Sequence, residues 1–173
     1  QLDQTVSGVT ALVTGGSAGE GAGEFDIDSG VTSIQSPEIS LPESEDLNLY
    51  FHYYLAHYLN SSSDDFLRVE IVGPLSSTTV FEEFGSADID TAAWEFVSVD
   101  ISAFSGETIT ILISASDNGA GSLVEAAIDD VQIKQIEATP TPTTAPTETF
   151  TPTATSSPTE TPVPTDTPVA TAT

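Results

Sequence analysis

Through the first ~135 residues, apolar side chains recur at every second position rather than every third or fourth. Leu67, Val69 and Ile71 form one such run, Val97, Val99 and Ile101 another, and Ile109, Ile111 and Ile113 a third. Leu47, Leu49, Phe51 and Tyr53 likewise alternate with Asn48, Tyr50, His52 and Tyr54. In an extended chain successive side chains point to opposite faces, so each run predicts a strand with one buried face. Further β-branched or apolar runs cover 10–14, 31–36, 66–72, 78–84, 96–101, 108–114 and 123–136. Turn chemistry punctuates them at Ser36-Pro37, Leu41-Pro42, Gly73-Pro74, Ser105-Gly106 and Asn118-Gly119. No segment carries a 3.6-residue period bounded by caps. About eight short strands at this spacing predict an all-β fold, an antiparallel β-sandwich of the jelly-roll type.

The alternation stops near Glu137. Residues 138–173 are Thr, Pro, Ala, Ser and Val, broken only by Glu148, Phe150, Glu160 and Asp166. A proline every few residues can feed neither a helix nor a central strand, and too little apolar surface remains to offset the entropy of ordering. Two regions follow: a sandwich domain over 1–137 and an extended, partly polyproline stalk over 138–173. Thr/Pro mixtures are the composition of O-glycosylated stalks, which makes Thr141, Thr143, Thr147, Thr151, Thr153, Thr159, Thr161, Thr165 and Thr167 candidate attachment sites. Such a stalk becomes ordered only where a neighbouring subunit or attached sugars hold it.

Charge narrows the partners. The chain carries 27 acids against two bases, Arg68 and Lys134, for a formal net charge of -25. Nucleic acid is excluded, because phosphate neutralisation needs clustered Lys and Arg, and an anionic membrane surface is disfavoured on the same ground. No apolar stretch approaches the ~18 residues of a spanning helix, so no membrane insertion is expected. The chain has no Cys and no Met, which removes disulfides, zinc fingers, iron–sulfur clusters and thiol nucleophiles. Acidity with a Thr/Pro stalk points to an extracellular or cell-surface setting. Gln1 in place of an initiator Met is read as a removed leader or a fragment of a longer protein. So much like charge destabilises a compact body unless cations offset it.

Two groups of acids suit a cation. Asp26 and Asp28 stand two apart in a Gly-rich turn and project the same way when extended. Glu125 and Asp129 share the parity of Leu123, Val131 and Ile133, which turns them inward if those residues face the core. Inward carboxylates are costly when only two bases exist to neutralise them, and Ca²⁺ with its 6–8 oxygen ligands resolves that cost. The alternative is that these acids are solvated, with Asp129-Asp130 at a bend that reverses facing. Asp64-Asp65 and Asp88/Asp90 read as ordinary loop acids.

Tyr50, His52 and Tyr54 line one face of a strand, with Phe51, Tyr53 and Tyr58 nearby. Flat aromatic faces bind sugars, but a sheet covered by loops or by a partner needs the same residues. Trp94 reads as a core anchor. His52 and His57 lack a zinc-site pattern, no G-x-S-x-G elbow is present, and the glycines of 19–23 lack a dinucleotide-binding setting. Asn60-Ser61-Ser62 is an N-glycosylation sequon in a predicted loop.

These segments together carry a family likeness. The stretches VSGVTALVTGGSAGEGAGEFDIDSGVTSIQSPEISLP, LYFHYYLAHYLNSSSDDFLRVEIVG, TTVFEEFGSADIDTAAWEFVSVDISAFSGETITILISASD and SLVEAAIDDVQI resemble a bacterial jelly-roll module, similar to MAM-type and galactose-binding-like sandwiches. Such modules are appended to secreted metallopeptidases and often precede Thr/Pro-rich stalks. The likeness spans residues 1–133, and SLVEAAIDDV is its most specific part. It implies a non-catalytic domain with a structural Ca²⁺, whose acidic positions match Asp26, Asp28 and Asp129. One departure stands out: the family begins with a further acidic strand upstream of Gln1. A sandwich lacking an edge strand exposes unpaired backbone and an apolar seam, which a neighbouring chain can fill.

The sequence therefore predicts a non-enzymatic, secreted, Ca²⁺-stabilised module that self-associates through strand and tail contacts, up to a filament, and carries covalent glycans. The competing reading is a carbohydrate- or protein-binding accessory domain of a larger secreted hydrolase.

Overall fold

The computed structural model describes residues 2, 4–17, 27, 29–44, 46–118 and 124–136. The tail, with all nine candidate threonines, lies outside these residues, as do Asp26 and Asp28. The described chain is all-β. Its strands are β1 (Leu12–Val13), β2 (Gly30–Gln35), β3 (Ile39–Ser40), β4 (Leu47–His57), β5 (Phe66–Val72), β6 (Ser77–Phe84), β7 (Glu95–Asp100), β8 (Thr108–Asp117) and β9 (Val124–Gln135). A single 3₁₀ turn, Ser102–Phe104, interrupts them between β7 and β8.

The pairing is nested. β5 and β6 form the central hairpin, β4 pairs β7 outside it, β2 and β3 pair β8 outside that, and β1 pairs β9 outermost. Rolling this long double strand brings β9 against β4 and β8 against β5. Two antiparallel sheets result, β1-β9-β4-β7 and β2-β8-β5-β6, in the jelly-roll order. Pro37 explains why β2 and β3 are separate: without an N–H it cannot continue the ladder, and the edge resumes at Ile39.

The two-residue periods land where expected. Leu47, Leu49, Phe51, Tyr53 and Leu55 face inward from one sheet, and Leu67, Val69, Ile71, Ile109 and Ile111 from the other. Phe81 locks the sheets together, with its ring 5.3 Å from Phe51 and 4.6 Å from Tyr53, both edge-on. Aromatic pairs at these separations add to simple area burial.

One strand departs from strict alternation. Between Tyr50 and His52 β4 advances two residues, while β9 advances three, from Gln132 back to Asp129. The extra residue is a β-bulge, and Asp130 takes the left-handed backbone it requires, at φ 53°. The bulge reverses facing along β9. Ile133 stands opposite the inward Leu49, whereas Asp129 stands opposite the outward His52 and Glu125 opposite Ala56. The expectation that Glu125 and Asp129 share the inward face of Ile133 is thereby corrected, and the alternative of a bend at Asp129-Asp130 that reverses facing is the one observed, although both acids are buried rather than solvated.

Candidate functional site

The outer face of the β1-β9-β4-β7 sheet holds the chemistry that the sequence singled out. Glu125 and Asp129 are both buried there, and the N-terminal segment lies over the sheet at Asp129. Asp129 is the anchor of that segment. Its Oδ2 accepts the Val6 N–H at 2.9 Å and the Ser7 N–H at 3.5 Å, and its Oδ1 accepts the Asp130 N–H at 2.7 Å. The Ser7 hydroxyl donates to Asp130. A carboxylate charge thus satisfies a cluster of turn N–H groups that the sheet cannot reach.

Glu125 lies further along the same face, beside Tyr54. Burial, reinforced by the Glu125 charge, holds the Tyr54 phenol above its usual range, while a backbone hydrogen bond with Leu2 pulls the other way. Trp94 packs edge-on against Tyr54 at 5.0 Å, and its indole N–H donates to the Gln4 carbonyl. Trp94 is therefore half-buried on the outer face, clamping the N-terminal segment, rather than anchoring the core as its aromatic bulk suggests.

Four residues along a strand span about 13 Å, so Glu125 and Asp129 do not converge on one point. Among the described residues no group of three or more Asp, Glu or His stands at metal-binding spacing. Asn60 is exposed in the loop between β4 and β5, on which a sequon would be reachable.

Beyond the N-terminal segment the same face is open. Tyr50 stacks with Phe96 at 6.0 Å, His52 tilts against Phe96 at 5.2 Å, and the Lys134 ammonium lies 5.5 Å over the Tyr50 ring. Phe96 is 60% exposed. The aromatic row read from β4 is thus divided: Tyr54 is covered, whereas Tyr50 and His52 join Phe96 of β7 in a surface patch.

A second site was hidden from sequence reading. Asp65 is fully buried at the end of the sandwich. Its Oδ2 accepts the Ser61 hydroxyl and the Ser62 N–H, both at 2.8 Å, and its Oδ1 accepts the Asn118 N–H at 3.0 Å. Its carbonyl accepts the Gly85 N–H at 2.8 Å. Glycine is required there: a Cβ at Gly85 would lie 2.1 Å from the Ser61 oxygen and 2.9 Å from the Ser62 carbonyl. Asp65 joins three loops in one polar knot. The Ser-Ser-Ser-Asp-Asp run before a strand was the available signal, as Ser and Asp cap local backbone.

The third feature is a rim. β1 and β2 are edge strands of opposite sheets on the same side of the sandwich, and a slot of about 270 Å³ opens between them. Leu12 and Ile34 flank it; Leu67, Ile113, Ala126 and Ile128 form its floor. Ile34 pairs with Ile113 and Leu12 with Ile128, so both side chains face the interior. They nonetheless remain 48% and 43% exposed. The interior reaches solvent along this rim.

The architecture defines a jelly-roll sandwich with a covered acidic face, an aromatic patch and an open rim. Comparison with known proteins finds no matching family and no matching curated relative. Among the described residues no helix is long and apolar enough to cross a membrane.

Proposed function

We propose that this chain is an extracellular structural module: a jelly-roll sandwich that self-associates and carries a glycosylated Thr/Pro stalk, with no catalytic role of its own. The observation that carries the reading is the rim. Two inward-facing residues, Leu12 and Ile34, stay nearly half in water beside an edge strand that ends in no charge. Proteins bury or blunt such edges, and an edge left open in this way serves pairing with another chain. The Thr/Pro stalk supports an extracellular setting, since its composition suits dense O-glycosylation and an extended conformation. The resemblance to MAM-type and galactose-binding-like modules supports only the secreted, non-catalytic part of this reading.

A structural Ca²⁺ belongs to this proposal. Its support is the net charge of -25 and the paired Asp26 and Asp28 of the Gly-rich loop, rather than Asp129, whose oxygens serve backbone donors. The ion would supply charge neutralisation and cross-linking of the loop.

Electron microscopy and intact mass of native material test the reading together. Assemblies whose subunits exceed the polypeptide mass by sugar increments are expected. Bare, solitary molecules would defeat it.

The aromatic patch of Tyr50, His52 and Phe96 favours a second reading, a carbohydrate- or protein-binding accessory domain. Retardation in polysaccharide gels that Phe96→Ala abolishes, on a chain that stays monomeric, would move the balance to it.

A further inference from the structure

From the rim we infer the geometry of the self-association proposed above, on which this inference rests: β2 pairs edge to edge with β2 of a second copy, antiparallel about a two-fold axis at Ser33. The Ser36 N–H donates to the Ile111 carbonyl, and the β2–β8 register continues from there without a break. In that alternation Gly30, Thr32 and Ile34 direct their backbone groups to β8, and Val31, Ser33 and Gln35 direct theirs away from it. Among the described residues no strand meets this outer side of β2.

Charge selects the occupant. Edge strands are ordinarily guarded by charged residues. β6 carries Glu82 and Glu83, β7 carries Glu95 and Asp100, and β1 is only two residues long. β2, Gly-Val-Thr-Ser-Ile-Gln, carries none. In a chain of net charge -25, two copies meeting at β6 or β7 set carboxylates against carboxylates. At β2 they do not. Among the described residues it is the one long edge strand whose own residues carry no acid.

The strand is also self-complementary. Around Ser33 the two-fold places Val31 opposite Gln35 of the second copy and Thr32 opposite its Ile34. Thr32 and Ile34 share the inner face with Ala115 and Ile113, so the second copy's pair covers the exposed Ile34 and closes the mouth of the slot. Val31, 57% exposed, gains a cross-strand neighbour on the outer face. The interface is isologous and joins two sheets into one continuous sheet. In sequence, acids resume only beyond the strand, at Asp28 and Glu38, so salt tightens the pairing.

The chain has no cysteine, so a single Ser33→Cys is a clean reporter. Opposed residues of a hydrogen-bonded pair have Cα atoms about 5.5 Å apart, within disulfide reach. Ser33 is exposed, so Ser33→Cys and Ser33→Glu should both keep the fold, as circular dichroism is expected to verify. Under oxidised glutathione the full chain with Ser33→Cys should form a covalent dimer, while Ser77→Cys on the β6 edge should not. Ser33→Glu, which opposes two carboxylates at the axis, should weaken association in sedimentation about tenfold or more. Association that persists with neither effect would overturn the β2 pairing and leave the self-association reading standing. A wild-type chain that sediments as a monomer at every salt concentration would overturn both.

Discussion

At the residue scale, two buried polar groups set the strongest expectations. Through its carboxylate Asp65 accepts three hydrogen bonds from two loops, one from a serine hydroxyl and two from backbone N–H groups. Removing its carboxylate leaves buried donors without acceptors, each costing about 1–3 kcal/mol. Asp65→Ala should therefore lower stability in denaturant by about 3 kcal/mol or more, whereas Asp64→Ala next to it, in the exposed part of the same loop, should fall within about 0.5 kcal/mol of wild type. Equal losses would mean that the knot does not hold the loops. Tyr53 faces inward from β4, its hydroxyl hydrogen-bonded to Glu83 and, at 3.3 Å, to Glu95. Burial first, then the two carboxylates, hold its ionisation well above the ordinary 10.0. The folded state thus binds this proton more tightly than the unfolded chain. The resulting stability is complete below pH 10 and is lost as pH rises above it. Melting temperature should fall between pH 9.5 and 11.5 more steeply in wild type than in Tyr53→Phe. Parallel curves would show that the phenol is not so coupled.

At the element scale, the bulge in β9 matters most. Asp130 holds φ 53°, a conformation that Gly accepts freely, Asp tolerates, and a β-branched residue resists. Asp130→Gly should leave stability nearly unchanged, and Asp130→Val should cost about 1–2 kcal/mol in chemical denaturation. If both variants melted alike, the left-handed residue would not be what sets the bulge. This element also marks the limit of sequence reading. The alternation in 47–54, 66–72 and 108–114 was legible because one face is buried throughout, and each run became a strand with those residues inward. In β9 a single inserted residue shifts the parity; the paired Asp129-Asp130 allowed a bend that reverses facing as the alternative to inward acids, and that alternative is the one the fold takes. Glu125 and Asp129 accordingly face out, under an N-terminal segment whose path over the sheet no local pattern encodes. Trp94 misled for the same reason: bulk and aromaticity suit a core position and a clamp on an outer face equally well. The Asp65 knot was missed because its partners, Ser61 and Asn118, are far apart in the chain and close only through the nested pairing.

At the scale of the whole molecule, the jelly roll follows from the nesting of hairpins, and the sequence carried that much in the number, length and spacing of its strands. Its charge carries the remaining expectations. A cation bound only to the folded state stabilises it by mass action, about 2.7 kcal/mol at a hundredfold excess over Kd. EDTA should then lower the melting temperature by about 5 °C or more, and Ca²⁺ should restore it. Identical melting curves with EDTA and with Ca²⁺ would remove the ion from the account. The proposed self-association would have the opposite electrostatics from a salt-bridged complex. Two acidic bodies repel, screening shortens that repulsion to about 8 Å at physiological salt, and the uncharged β2 edges can then meet. Sedimentation velocity of the intact chain across a range of NaCl concentrations measures this directly. The expected result is a population of dimers or larger species that grows as salt rises. A single monomeric boundary at every concentration would contradict it.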